Sequence, residues 1–290
     1  MTGTVVAGVD GSERGRDVLR FAFSEAGLRD AGVAVVQAWG IPPLTTGGVG
    51  IIPAYELVRD ELRDAAAEEL AEAVEAAAGD APRVAVEPAV VQGDPAGALV
   101  DRSEGADLLV VGSRGRGSVG GTLLGSVSQE VIQHALCPVA VVHAAERALR
   151  SRVVVGVDGS PGAAGPLEWA FAEARLRSVP VHAVCAFEEP WTLAEAGLSS
   201  AEAAARYREA LMEDAEHVLD DVRAAAPEGV EVTAERAVAS AGHALVETAG
   251  EDLLVVGSRG RGGFKSLLLG SVSRHCAAHG RGVAVVVRPS

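Results

Sequence analysis

The sequence predicts an α/β chain made of two tandem, doubly wound sandwiches, and three observations carry that prediction. The run Asp107-Leu-Leu-Val-Val-Gly-Ser-Arg-Gly-Arg-Gly117 returns letter for letter as Asp252 to Gly262, and each copy is followed at the same distance by Leu-Gly-Ser-Val-Ser. The run Val5-Val6-Ala7-Gly8-Val9-Asp10-Gly11-Ser12 returns almost unchanged as Val153 to Ser160, 148 residues later, and the glycine loops lie 145 residues apart. The copies therefore align nearly end to end. Short Val-rich runs also alternate with amphipathic segments in both copies, the pattern of a parallel sheet with right-handed helical crossovers. Half of 290 residues suffices for an independent core. This places domains at 1–146 and 147–290, with a linker near 143–151.

Each element has its own sequence signal. Val5 to Val9 and Val153 to Val157 read as strands buried on both faces. Amphipathic segments follow at about 13–31 and 161–177, then second strands at Val33 to Trp39 and Val181 to Phe187. After a Gly/Pro-rich loop at 40–53, a long helix over about 55–78 lines up Leu62, Ala66, Leu70, Ala73, Val74 and Ala77 and stops at Gly79; its counterpart over about 200–226 stops at Pro227. Third strands (84–91, 230–238), short helices (95–103, 241–249) and fourth strands (107–112, 252–257) lead to the glycine loops. A helix and a fifth strand (139–142, 283–287) close each copy.

The bulk composition excludes several functions. A net charge of -15 argues against nucleic acid and against an anionic membrane surface, and 3% aromatic residues leave too few rings for a base-stacking platform. Much of the acid lies in Ala/Glu-rich helical stretches such as 60–75, read as solvated faces. Cysteines stand at 137, 185 and 276 without paired spacing, so buried, reduced thiols are expected rather than disulfides or a zinc knuckle. No apolar run approaches the roughly 18 residues of a membrane helix, and a cytoplasmic location is expected.

The repeated loop carries the chemistry. Its spacing is Gly112, Gly115, then Gly125-Ser126, repeated as Gly257, Gly260, then Gly270-Ser271. Glycine allows the main chain to come close to a ligand and present its N–H groups to an anion. Ser126-Val127-Ser128-Gln129 fits a capping box, with Val127, Val131, Ile132, Ala135 and Leu136 as the apolar face of the helix it opens, and a helix N-terminus aimed at the loop is an anion site. Hydroxyls of Ser126, Ser128, Ser271 and Ser273 are candidates for phosphate or magnesium, with Arg114, Arg116, Arg259 and Arg261 as cations and Gly117, Gly262, Val127 and Val272 within the same stretches. The plainer reading is a tight strand-to-helix turn with a serine cap. Gly115 to Gly120 also matches GxGxxG, but it follows the fourth strand rather than the first and is broken in the second copy at Lys265. Walker A is absent, so neither a Rossmann dehydrogenase nor a P-loop NTPase is supported.

On these residues the chain resembles the universal stress protein family in its tandem form. The G-x2-G-x9-G-[ST] loop behind a Val-Val-Gly strand, with Val-Asp-Gly-Ser ending the first strand, covers essentially the whole chain twice. The resemblance implies an adenine nucleotide alpha hydrolase-like fold, with each sheet ordered 3-2-1-4-5, that binds ATP with magnesium. It implies that Asp10 and Asp158 meet the nucleoside, that the backbone at Ala38 and Ala186 meets the adenine edge, and that Gly8 and Gly156 admit the ligand. Asp10 can equally make an ordinary Asx turn. The second copy departs from the pattern at Gly280-Arg-Gly-Val283, where the first has Cys137-Pro-Val139, and in Arg274, His275 and His279. The two histidines are spaced like helical metal ligands but read as cations at a helix C-terminus, without metal.

The function expected is a nucleotide-regulated stress-response or signalling protein with one ATP site per domain and an unidentified regulatory protein partner. The two domains are expected to pack as an internal pseudo-dimer through their last strands, with a further homodimer left open. A dedicated enzyme is not expected, because no positioned base accompanies the phosphate clamp. The alternative is a slow ATPase or nucleotidyl-transfer enzyme of related fold.

Overall fold

The computed structural model describes residues 3–12, 14–39, 52–79, 84–115, 124–145, 152–188, 200–261 and 269–288. Three predicted binding positions, Arg116, Gly117 and Gly262, lie outside the described residues, as do most of the 40–53 loop and of the linker. The chain divides into two compact units, Met1–Ala145 and Glu146–Ser290.

In the first unit the order is β1 (Thr4–Val9), α1 (Gly15–Arg29), β2 (Gly32–Trp39), α2 (Ile52–Ala78), β3 (Val86–Gln92), α3 (Pro95–Arg102), β4 (Leu108–Gly112), α4 (Ser126–His134) and β5 (Val139–Val142). The strands are parallel and ordered β3-β2-β1-β4-β5. The second unit repeats this with β6 (Val153–Val157), a 3-10 turn at Pro161–Ala163, α5 (Ala164–Arg177), β7 (Val181–Phe187), α6 (Ala201–Ala224), β8 (Val232–Val238), α7 (Ala241–Ala249), β9 (Leu253–Gly257), α8 (Ser271–His279) and β10 (Val283–Val287). Its order is β8-β7-β6-β9-β10.

The central strands are apolar throughout because helices cover both of their faces: Val5, Val6, Ala7, Leu108 to Val111 and Val139 to Val142 are all buried. The reversal of winding falls between β1 and β4, which pair in register with Gly8 opposite Val111. Asp10 and the Gly112 loop therefore leave adjacent strands at the same edge, where open α/β sheets hold ligands.

Two helical readings are corrected by packing. Only Ala66, Leu70 and Ala77 of the α2 stripe are buried; Ala73 and Val74 are half-buried and Leu62 is 39% exposed. Leu136 is 66% exposed, since α4 ends at His134 and the chain has turned before it; its amide is held by Ser103 Oγ.

One repeat is invisible to hydrophobic patterning. Glu25 in α1 and Glu173 in α5 are fully buried, and each pairs with an arginine one turn on, Arg29 and Arg177. The charges sit inside helices whose neighbours, Phe23, Ala26, Phe171 and Ala174, are core residues. Burial of a carboxylate is tolerated here because the guanidinium accompanies it.

Candidate functional site

A cavity of about 610 Å³ opens at the carboxyl ends of β1, β2 and β4 in the first unit, within the size range of small-molecule sites. Every described first-unit position named from the sequence lines it: Gly8, Asp10, Ala38, Gly112, Arg114, Gly115, Gly125, Ser126, Val127 and Ser128. Residues not named as binding positions from the sequence complete it. Val36, Pro95 and Leu99 form an apolar wall toward β2 and α3, and Ser12, Arg14 and Gln129 add polar groups. Ser12 was legible in the duplicated Val-Asp-Gly-Ser. Arg14 was not, because its counterpart is Gly162.

The helix behind the loop differs from the expected capping box. Gly125, not Ser126, occupies the N-cap of α4, with no side-chain cap, and Gly270 does the same for α8. Glycine has no side chain with which to satisfy the first helical amides, so those donors remain available at the cavity. Gly125 is itself fixed by donating its amide to Ser113 O at 2.8 Å. The Ser128 hydroxyl donates to Gly112 O at 2.6 Å and the Ser273 hydroxyl to Gly257 O at 2.5 Å, both from buried positions. These two serines thus tie helix to strand end, and their protons are not available to phosphate. Ser126 and Ser271 are exposed. Two buried polar atoms of the cavity lining, Arg114 Nε and Ser12 Oγ, have no hydrogen-bond partner among the described residues.

The aspartates turn out to be loop clasps. Asp10 Oδ1 accepts from Ser12 N at 3.1 Å, an Asx turn repeated by Asp158 and Ser160 N at 2.9 Å. In the second unit the other oxygen, Asp158 Oδ2, accepts from the Arg261 amide at 2.7 Å and so holds the glycine loop against β6. The glycines that follow are obligatory for this closeness: a Cβ on Gly115 would run into the Asp10 carboxylate, and one on Gly260 into that of Asp158. Gly8 and Gly156 pack closely against α3 and α7, since a Cβ there would meet the terminal methyls of Leu99 or Leu245, which would have to shift. Gly8 also lines the cavity, as expected of a residue that admits a ligand beside β1.

The second unit keeps the frame and rearranges the charges. Gly156, Asp158, Ala186, Gly257, Gly260, Gly270, Ser271, Val272 and Ser273 hold places equivalent to those of the first unit, at the ends of β6, β7 and β9 and the start of α8. Arg259 is exposed where Arg114 is half-buried. Arg261, expected to face phosphate, instead donates from Nη1 to Asp214 Oδ2 of α6 at 2.8 Å. That bond, together with the Asp214 and Asp158 charges, raises its pKa above the ordinary arginine value. The pair is more than half exposed and contributes little to stability.

The cysteines are buried and free, and burial pushes the Cys137 and Cys276 thiols up to about 12, which makes them poor nucleophiles. His275 and His279 stack with ring centroids 4.1 Å apart, and His243 lies 6.3 Å from His275. Burial, then His279 and His243, lowers the His275 pKa, so it is not the helix-end cation the spacing suggested. Among the described residues no group of three or more His, Cys, Asp or Glu is placed to hold a metal. The lowered pKa has a consequence in acid. The unfolded chain takes up more protons as pH falls below the ordinary value of 6.5, so stability present above 6.5 is lost as pH drops through the lowered folded value. Thermal midpoints followed from about pH 7.5 to 5 fall less steeply in His275→Gln than in the unaltered chain; identical slopes refute this.

Comparison with known proteins bears on the family and the fold. The sequence profile of the Universal stress protein family matches residues 1–143 and again 150–288. A universal stress protein of Mycolicibacterium smegmatis is 32% identical over 295 residues, covering 98% of this chain and 97% of its own. One from Mycobacterium tuberculosis is 32% identical over 292 residues, covering 98% and 96%. Among solved structures, a universal stress protein from Archaeoglobus fulgidus superposes with a TM-score of 0.69 at 22% identity over 100% of both chains, a likeness of fold. With the family pattern matched in both halves and relatives alike over nearly their full length, this chain belongs to the universal stress protein family.

Proposed function

We propose that the first-unit cavity binds ATP and that the protein acts as a nucleotide-regulated stress-response protein rather than as an enzyme. The observation that carries this reading is the buried Arg114 Nε, without an acceptor among the described residues, in a cavity that also receives the uncapped N-terminus of α4. An anionic group placed there would satisfy both, and the apolar wall of Val36, Pro95 and Leu99 suits a base and sugar. Magnesium, when present, would be carried mainly by the phosphates and water, with the Ser12 and Ser126 hydroxyls of the lining as candidate protein ligands.

Binding rather than turnover is supported by the cavity's acid content. Asp10 is its one carboxylate among the described lining residues, and that group already holds the Ser12 amide. Hydrolysis needs a group that orients water or takes a proton. In each unit the loop and helix start are built alike, so the second site is proposed as an adenine-nucleotide site too, altered by the Arg261 to Asp214 pair. No described helix is long and apolar enough to cross a membrane. A cytoplasmic location and a protein partner that reads the bound state complete the proposal.

Thermal denaturation with increasing ATP tests it. At a concentration of roughly 100 times Kd the ligand adds about 2.7 kcal/mol, a rise of several degrees in midpoint. An unchanged midpoint, together with no heat of binding in calorimetry, would reject the site. Formation of ADP or AMP in single-turnover reactions would replace the binding reading with the enzymatic one.

A further inference from the structure

We infer that Arg14 is a specificity-determining residue of the first-unit site, selecting nucleotides that carry more than one phosphate; the inference rests on the adenine-nucleotide reading of that site. Arg14 stands at the N-cap of α1 and lines the cavity. Its Nη1 donates to Ser113 Oγ at 3.4 Å, a long bond that leaves most of the guanidinium's donors for another acceptor. Ser113 lies between Gly112 and Arg114 at the end of β4, and its carbonyl receives the Gly125 amide just where α4 begins. The Arg14 side chain thus reaches from the start of α1 to the residue on which the phosphate-facing helix begins.

The sheet order sets the direction of the ligand. Ala38 lies near the end of β2, on one side of β1, while Ser113 and Gly125 follow β4 on the other. With the nucleoside along Ala38, Val36 and Leu99, a first phosphate meets Arg114 and the α4 amides. Phosphates beyond it then arrive beneath Arg14. A monophosphate ends before that guanidinium, and a di- or triphosphate does not.

The second unit supplies the contrast within the same chain. The equivalent position is Gly162, inside the 3-10 turn Pro161–Ala163, and has no side chain to reach Ser258. The second cleft is also without Arg261 as a phosphate cation, because that guanidinium is paired with Asp214. Position 14 and its counterpart thus differ between the clefts alongside the exposed Arg259 and the paired Arg261, and substitution at position 14 within the first unit isolates its share.

The test is calorimetry of ATP, ADP and AMP on the full chain and on Arg14→Gly and Arg14→Lys. Hydrogen exchange of residues 124–134 and 269–279 assigns each binding event to its unit. Arg14→Gly, which installs the residue of the second unit, lowers first-unit ATP affinity roughly tenfold and changes AMP affinity by less than about twofold, one charge-assisted contact being lost for ATP alone. Arg14→Lys retains charge and recovers part of the ATP affinity. Arg14 is exposed, so the thermal midpoint without ligand stays unchanged. Equal weakening of ATP and AMP, or weakening of neither, overturns the role of Arg14 while leaving the site intact. An unaltered chain that binds no adenine nucleotide overturns the site reading itself, and this proposal with it.

Discussion

Glutamate in place of Gly115 removes ATP binding from the first unit, with affinity falling by about a hundredfold or more. Two effects act together. The new Cβ lands on the Asp10 carboxylate, forcing the glycine loop away from the end of β1, and the added carboxylate puts a negative charge where phosphate is expected. Loss of two charge-assisted hydrogen bonds at roughly 1.5 to 3 kcal/mol each accounts for the size of the fall. Gly115→Ala separates the contributions, since it brings the collision without the charge. The equivalent change at Gly260 meets Asp158. Calorimetry on the doubly substituted chain provides the check, and an affinity equal to that of the unaltered protein contradicts the proposed location.

Methionine at Arg177 destabilises the second unit by about 3 to 5 kcal/mol, the usual cost of removing one partner from a buried ion pair. Glu173 is 1% exposed and its arginine 2%, so solvent cannot replace the lost guanidinium. The hydrophobic double replacement Glu173→Leu with Arg177→Met restores most of the loss, because it removes the charge along with its partner. Urea denaturation of the three variants reads this out. A cost below about 1 kcal/mol for Arg177→Met would show that the pair is solvated in the way surface pairs are. The same reasoning applies to Glu25 and Arg29 in α1, whose arginine is 12% exposed and whose change is correspondingly milder.

These two cases mark how far the sequence could be read. The glycines of the loop were legible because they recur unchanged while residues between them drift, as Val119 and Gly120 do to Phe264 and Lys265. Their role was only half legible. Spacing pointed to an anion at the loop, but not to the clasp in which Asp158 holds the Arg261 amide, since that contact joins residues 103 positions apart. Ser126 matched a capping box by letter, yet the cap fell to Gly125, one residue earlier. A shift of one residue at a helix start lies below what pattern can fix. The burial of Glu25 and Glu173 was not legible, because periodicity does not show which face the sheet will cover.

By itself the sequence determined the class of fold, the two copies, the sequence of strands and helices within each, and the loop at which a ligand would be sought. Those properties follow from local chemistry: Val-rich runs that need cover on both faces, glycine where backbone must pass closely, and an internal repeat that compares the chain with itself. Tertiary structure decided what each polar group is engaged in. It turned Ser128 and Ser273 toward strand-end carbonyls, drew Arg261 to Asp214 on α6, left Arg114 Nε facing a cavity without an acceptor among the described residues, and brought Arg14 to Ser113. Each of these outcomes depends on which distant segment arrives beside the group, and a hydrogen bond is made or lost over less than an ångström.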